Sequence, residues 1–394
     1  MQGELPSQRI TEGVIWKQLL FFFFPILLGS FFQQMYNTVD TIIVGRFVGT
    51  RALAAVGSTS ALLNLMNGFF IGLSTGATVL LSQFYGAKSK QGVQDTLHTG
   101  VALSLVLGAV VMTLGYSLGP KILGLMNTPE SCLDDAVLYI KIYFGGAIAS
   151  MLYNMGAGIL RAMGDSRKPT MFLMAACGVN IVLDIVFILS FRMDVFGAAF
   201  ATVLAQGLAG IGCLVRMCRG FPVLKMERED WRWDWARTGR LCLMGLPMGL
   251  QYSITAIGSV MIQAAVNSLG TTYVTAVTAA SKVSMFFCCP FDAMGATMAT
   301  YGGQNVGAAK WERLHQGMRA CVLLGAVYSV LSLGLLYFFA DPLNMLFLDA
   351  ESASLLPLAK RFLVINAAFY FPLSLVNIVR FMIQGMGFSP LATL

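Results

Sequence analysis

The chain reads as long apolar runs broken by short polar segments. Ten runs occupy residues 14–44, 52–82, 93–118, 133–161, 168–190, 196–217, 239–266, 272–303, 316–340 and 356–385. A backbone in hydrocarbon must satisfy its own hydrogen bonds, so each run is predicted as a membrane helix. Several exceed the ~20 residues that a span needs, which implies tilt or protrusion. Pro25 and Pro247 fall inside the first and seventh runs, where each is expected to bend its helix. The pattern defines an all-α polytopic membrane protein.

Composition agrees. Of 394 residues, 57% are hydrophobic and 11% charged, with a mean hydropathy of +0.72. A soluble domain carries about 25% charged residues. The 41 glycines suit membrane helices, where glycine is common. The eight cysteines show no CxxC spacing and most lie in apolar runs, so they read as small hydrophobes. With only His98 and His315, a histidine-based metal site is not expected. The first 17 residues mix Glu4, Arg9, Glu12 and Lys17, and no A-x-A site follows. The first run is therefore read as a membrane helix rather than a cleaved signal.

The net charge of +7 is a topology signal rather than a nucleic-acid signal. With the N-terminus inside, 17 Lys and Arg fall in inner segments and 6 in outer ones. Lys141, Lys282 and Arg380 fall within helices. This bias predicts a cytoplasmic N-terminus. It also makes 218–238 a cytoplasmic linker.

An internal repeat crosses that linker. QFYGA (83–87) matches QNVGA (304–308) at an offset of 221. Gly49 matches Gly270, and Ala55-Val56 matches Ala276-Val277, at the same offset. Pro25 matches Pro247 at 222; RAMGDS (161–166) matches QGMGFS (384–389), and Asn154 matches Asn377, at 223. Shared order and spacing over so long a stretch point to duplication. The predicted organisation is a six-helix lobe (1–217), the linker (218–238) and a lobe showing four helices (239–394). An even number of spans precedes the second lobe, so the repeats run parallel. They are expected to be related by a pseudo-twofold axis along the membrane normal. Leu394 corresponds to residue 171, so counterparts of the fifth and sixth helices are absent and the second repeat is expected to be truncated.

The polar exceptions carry the chemistry. Asp40, Asp184 and Asp292 fall within predicted helices. A carboxylate at bilayer depth costs at least ~2.5–3.5 kcal/mol and normally turns inward to a functional site. Asn180 and Asp184 are four apart, hence on one helical face. An amide oxygen and a carboxylate there suit a hard cation. Tyr36 and Asn37 precede Asp40 by one turn. Asn154 and Thr202 add oxygen donors from two further helices. Two carboxylates brought together in low dielectric do not both ionise cheaply, so the same pair could hold a proton. Asp292 is read as interfacial, near a helix end. Lys282, ten residues earlier, is read as lining a central cavity.

The segments VDTIIVGRFVGTRALAAVG (39–57), QFYGA, QNVGA, RAMGDSRKPT (161–170) and VNIVLDIVF (179–187), taken together, resemble the multidrug and toxic compound extrusion (MATE) family. That resemblance implies two facing helical lobes that export amphipathic or cationic organic compounds in exchange for Na⁺ or H⁺. It implies a coupling site, open to Na⁺, at Asp40, Asn180, Asp184 and Thr202, with Tyr36 and Asn154 as network neighbours. Met261 and Ile262 stand opposite Asp40 in the second repeat, so coupling is expected in the first lobe alone. Some relatives use second-lobe acids instead; here Gln251 stands where such an acid would be wanted, and Gln251 and Lys282 are the candidates for a substrate cavity. The expected partners are a small organic substrate and the lipid bilayer, with no nucleic acid, no cofactor beyond the coupling ion, and a monomeric chain. The expected location is a bacterial cytoplasmic membrane.

Two other readings are weaker. A lipid-linked oligosaccharide flippase needs a markedly cationic cavity, and Lys282 with Arg380 is a thin signal. A membrane-embedded enzyme built on Asp40 and Asp184 lacks any HExxH, Asp-rich or nucleophile motif.

Overall fold

The computed structural model describes residues 9–125, 130–221, 234–347 and 354–393. Most of the predicted linker, 222–233, lies outside the described residues. The helices are α1 (Ile15–Ile43), α2 (Thr50–Gly86), α3 (Lys90–Leu125), α4 (Glu130–Gly145), α5 (Ala147–Ala162), α6 (Arg167–Ile185) and α7 (Asp194–Gly220). After the linker come α8 (Trp235–Ser268), α9 (Thr271–Gly307), α10 (Trp311–Asn344), α11 (Leu356–Ala368), α12 (Tyr370–Gly385) and the short α13 (Ser389–Thr393). No strand occurs among the described residues.

Eight helices are long and apolar enough to cross a membrane, or ten spans if each bent pair is one. The bent pairs correct the sequence reading, which made 133–161 and 356–385 single helices. Instead α4 and α5 meet at 47°, and α11 and α12 at 44°. At the first break Gly145 and Gly146 remove the side chains that would stiffen the turn. The Gly146 N–H is shared between the Ile142 and Tyr143 carbonyls. At the second break Pro372 has no N–H to offer Ala368 one turn back. Pro25 and Pro247 sit inside helices that continue through them.

The repeat is visible element by element. α1 to α5 correspond in order to α8 to α12, and α6 begins where α13 begins. Unusual backbone recurs at equivalent places: Gly49 and Gly270 have φ of 115° and 98°, Lys88 and Ala309 of 55° and 54°, Gly164 and Gly387 of 87° and 98°. Equal strain at equal positions is a stronger sign of duplication than sequence identity.

The lobes meet along α2, which packs on α8 and α9. Its apolar stretch is 72% buried, against 22% for α1 and for α10, whose outer faces present side chains such as Phe24 and Val330. At one end the two repeat motifs cross. A Cβ on Gly86 would lie 2.1 Å from the Gln304 carbonyl, and one on Gly307 would lie 2.0 Å from the Gln83 carbonyl. Only glycine allows this approach. The glutamines beside them reach across the interface. Gln83 Nε2 donates to the Gly385 carbonyl (3.0 Å), and Gln304 Nε2 to the Ala162 carbonyl (2.7 Å). Those carbonyls end α12 and α5, where helices leave acceptors unsatisfied. One repeated residue thus closes each side of a reciprocal clasp.

Candidate functional site

Asp40 and Asp184 both sit near the end of a helix that widens. α1 passes into a π-helical turn at Val44–Val48, and α6 into one at Val186–Ser190. In each, an N–H reaches a carbonyl five residues back: Gly49 to Val44 and Phe191 to Val186, both at 3.1 Å. Such turns cluster at functional sites. The two widened turns pack against each other and bring the carboxyls together.

The Asp40 and Asp184 carboxyls lie within hydrogen-bonding range of each other. Such a bond needs one proton between them. Both residues are buried, Asp184 completely. One oxygen of each, Oδ1, is sealed from solvent with no hydrogen-bond partner among the described residues. Orphaned carboxylate oxygens are costly unless a cation or proton meets them. The oxygen-rich donor set therefore fits a hard cation. Among the described residues no cluster of three His, Cys, Asp or Glu side chains is present. Two carboxyls with neutral oxygens are what this site offers.

Asn180 and Thr202 complete the cluster. With its amide nitrogen turned to Asp184, Asn180 donates to Oδ2 at 2.9 Å and accepts from the Thr202 backbone N–H at 3.1 Å. Tyr36 donates its hydroxyl hydrogen to Thr202 Oγ1 at 3.2 Å, and that hydroxyl donates to the Ala198 carbonyl at 3.1 Å. Sequence reasoning did not find Tyr139, on α4, which lies near both carboxyls, or Tyr143, which stacks on it with centroids 6.3 Å apart. Asn67 donates to the Tyr143 hydroxyl at 3.3 Å. Two tyrosines four apart in an apolar helix were the available signal.

A cavity of about 440 Å³ lies beside this cluster. Tyr36, Asn180 and Thr202 line it, whereas Asp40 and Asp184 do not. The carboxyls sit one layer behind the wall. Asn154 also lines the cavity, but its amide donates to Ser150 of its own helix at 2.8 Å.

The second lobe supplies the rest of the wall, including Tyr252 and Asp292. Asp292, read from sequence as interfacial, thus faces the cavity. Gln251 lies behind it. With its amide oxygen turned towards Arg380, it accepts from that guanidinium at 2.9–3.2 Å. Lys282 is exposed beside the Phe347 ring and is not among the lining residues. Arg161, the last residue of the predicted run 133–161, lines the cavity from the last turn of α5.

Two lobes of membrane helices around a polar cavity define a membrane transporter. The MatE family model matches residues 25–186 and 247–392, two segments that start 222 residues apart. The chain belongs to this family, the multidrug and toxic compound extrusion transporters. It is 30% identical over 314 residues to the probable multidrug resistance protein YpnP of Bacillus subtilis, covering 79% of this chain and 69% of that one. To the probable multidrug resistance protein YoeA of the same organism it is 27% identical, covering 93% and 80%. An outward-facing multidrug resistance MATE transporter superposes with a TM-score of 0.93 at 21% identity, covering 100% of this chain and 87% of that one. This last likeness concerns the fold.

Proposed function

We propose that the protein is a secondary active antiporter that exports amphipathic organic compounds, cations among them, in exchange for Na⁺ or H⁺. One observation carries the reading. A buried carboxyl pair within hydrogen-bonding range, with orphaned oxygens, stands behind a cavity shared by both lobes. Asn180 bonds Asp184 and also lines the cavity, where Tyr36 and Thr202 stand beside it. A cation or proton entering the pair changes what Asn180 and Asp40 can bond to, and so changes the wall that a substrate meets. Exchange requires the two ligands to differ in affinity between two states. The glycine crossing and glutamine clasp hold the lobes together at one end, and are the contacts that the opposite state must break.

The positive-inside bias supports a cytoplasmic N-terminus, and so a cytoplasmic clasp. It also supports a bacterial cytoplasmic-membrane location, with lobes 1–217 and 239–394 joined by a cytoplasmic linker. The protein acts as a monomer in this reading. The test is efflux of a fluorescent organic cation from proteoliposomes under separate Na⁺ and proton gradients. The gradient that drives efflux names the ion. Gradient-driven efflux that survives Asp184→Asn overturns the coupling assignment.

A further inference from the structure

The cavity wall contains two charged side chains, Arg161 from the first lobe and Asp292 from the second. Their surroundings differ. Asp292 faces a countercharge on its own lobe, Arg380. Arg380 is further held by Asn377 Oδ1 at 2.6 Å and by Gln251. That charge is balanced within the protein.

Arg161 has no such balance. Its guanidinium has no hydrogen-bond or ion-pair partner among the described residues. The titratable groups beside it are the phenols of Tyr153 and Tyr252 and the thiol of Cys213, none of them a carboxylate. The nearest acid in sequence, Asp165, is engaged by Arg216 at 3.4 Å and by the Lys168 N–H at 3.1 Å. A helix C-terminus can also steady a cation through its free carbonyls. Here those carbonyls are taken: Ile159 by the Met163 N–H, Leu160 by Asp165, Arg161 by Gly164, and Ala162 by Gln304. Arg161 is therefore not a cap. It is a cation in a polar recess, with a five-donor fork and nothing assigned to it.

We propose that Arg161 is the oxyanion-recognising residue of the cavity. It receives a carboxylate or phosphate of an amphipathic substrate, whose aromatic or apolar body lies against Tyr153 and Tyr252. A planar guanidinium forms paired charge-assisted bonds with such groups. Tyr252 belongs to the second lobe, so a bound oxyanion substrate touches both lobes at once. The preferred substrate carries an oxyanion, alone or beside a cationic group. This rests on the transporter reading and adds to it a specific contact and a charge preference.

The test is equilibrium binding of matched dyes to the purified full chain in nanodiscs, read by fluorescence anisotropy. Rhodamine B carries a free carboxylate, and rhodamine 6G carries the ester in its place. Flavin mononucleotide carries a phosphate that riboflavin lacks. In at least one pair the oxyanion member is expected to bind about tenfold more tightly, the gain of one charge-assisted bidentate contact. The pair that responds tells carboxylate from phosphate. Arg161→Gln brings that ratio to about one, and Arg161→Lys keeps part of it, which separates recognition from misfolding. A wild-type ratio near one in both pairs, an unchanged ratio in Arg161→Gln, or no binding of any of the four dyes overturns the proposal. Lys282→Gln, at an exposed cation outside this cavity wall, is expected to keep the ratio. A wild-type charge preference without gradient-driven efflux would sink the antiporter reading and leave the Arg161 contact standing.

Discussion

The two lobes share one repeat and part company after Asp40. After Asp40 the first lobe widens, with Gly49 N–H reaching back five residues to Val44. At the equivalent place the second lobe tightens, with Leu269 N–H reaching back three residues to Val266. The widened turn of the first lobe packs on its partner after Asp184 and assembles a carboxyl pair. In the second lobe Met261 and Ile262 are 69% and 64% exposed and face away from any such cluster. At the clasp, by contrast, the lobes remain equivalent: Gln83 does to Gly385 what Gln304 does to Ala162. Symmetry is retained where the lobes hold each other and lost at the carboxyl pair.

The sharpest way to break that comparison is to remove a carboxyl from one lobe only. Asp184→Asn is expected to lower gradient-driven efflux about 100-fold, near the top of usual coupling energies. Ile262→Ala, opposite Asp40, is expected to change it less than about twofold, as an exposed apolar truncation should. Liposome efflux under the driving gradient measures both. Equal losses would mean that the second lobe also couples.

The crossing glycines test the retained symmetry. Gly86→Val and Gly307→Val each force a side chain against a carbonyl of the other lobe. Each should cost about 1–3 kcal/mol in denaturant titration, the usual range for overpacking. A cost confined to one of them would show that the crossing is not reciprocal.

The clasp itself is weaker. Gln83→Ala and Gln304→Ala each leave a helix-end carbonyl without its donor, worth about 1 kcal/mol. Spin labels placed on α2 and α9 near the motifs should report a larger separated population in both variants, and larger still in the double variant. An unchanged distance distribution would remove the glutamines from the closing contact.

The smallest effect is expected at Thr202, which offers the layer between carboxyls and cavity one hydroxyl. Thr202→Val should weaken the coupling ion about fivefold, the worth of one hydrogen bond. Thr202→Ser should stay within about twofold. A half-saturation titration of efflux against ion concentration separates them.

Much of this was legible beforehand because bilayer chemistry is strict. Asp40, Asn180, Asp184 and Thr202 stood out since a polar group at that depth needs a reason. The structure places them, with Tyr36, in one cluster. Asn154 lines the neighbouring cavity but bonds its own helix. Lys282 looked like a cavity residue because it is charged and deep in sequence, but sequence depth does not fix the direction of a side chain. Arg161 was passed over, and Asp292 read as interfacial, for the converse reason. Each lies near a predicted helix end, where a charge is ordinary, and only the approach of the other lobe encloses it. The breaks at Gly146 and Phe369 escaped because an apolar run carries the same composition whether the helix is straight or bent.

By itself the sequence determined the helices, their parallel duplication and the residues too polar for lipid. These follow from local rules: hydrocarbon forbids unsatisfied backbone, and charge at depth is expensive. The tertiary structure decided which polar residues meet. Two π turns had to touch before Asp40 reached Asp184, and two lobes had to cross at Gly86 and Gly307 before one cavity could set Arg161 and Tyr252 in the same wall. Such pairings depend on how helices pack, and packing joins residues that the chain keeps far apart.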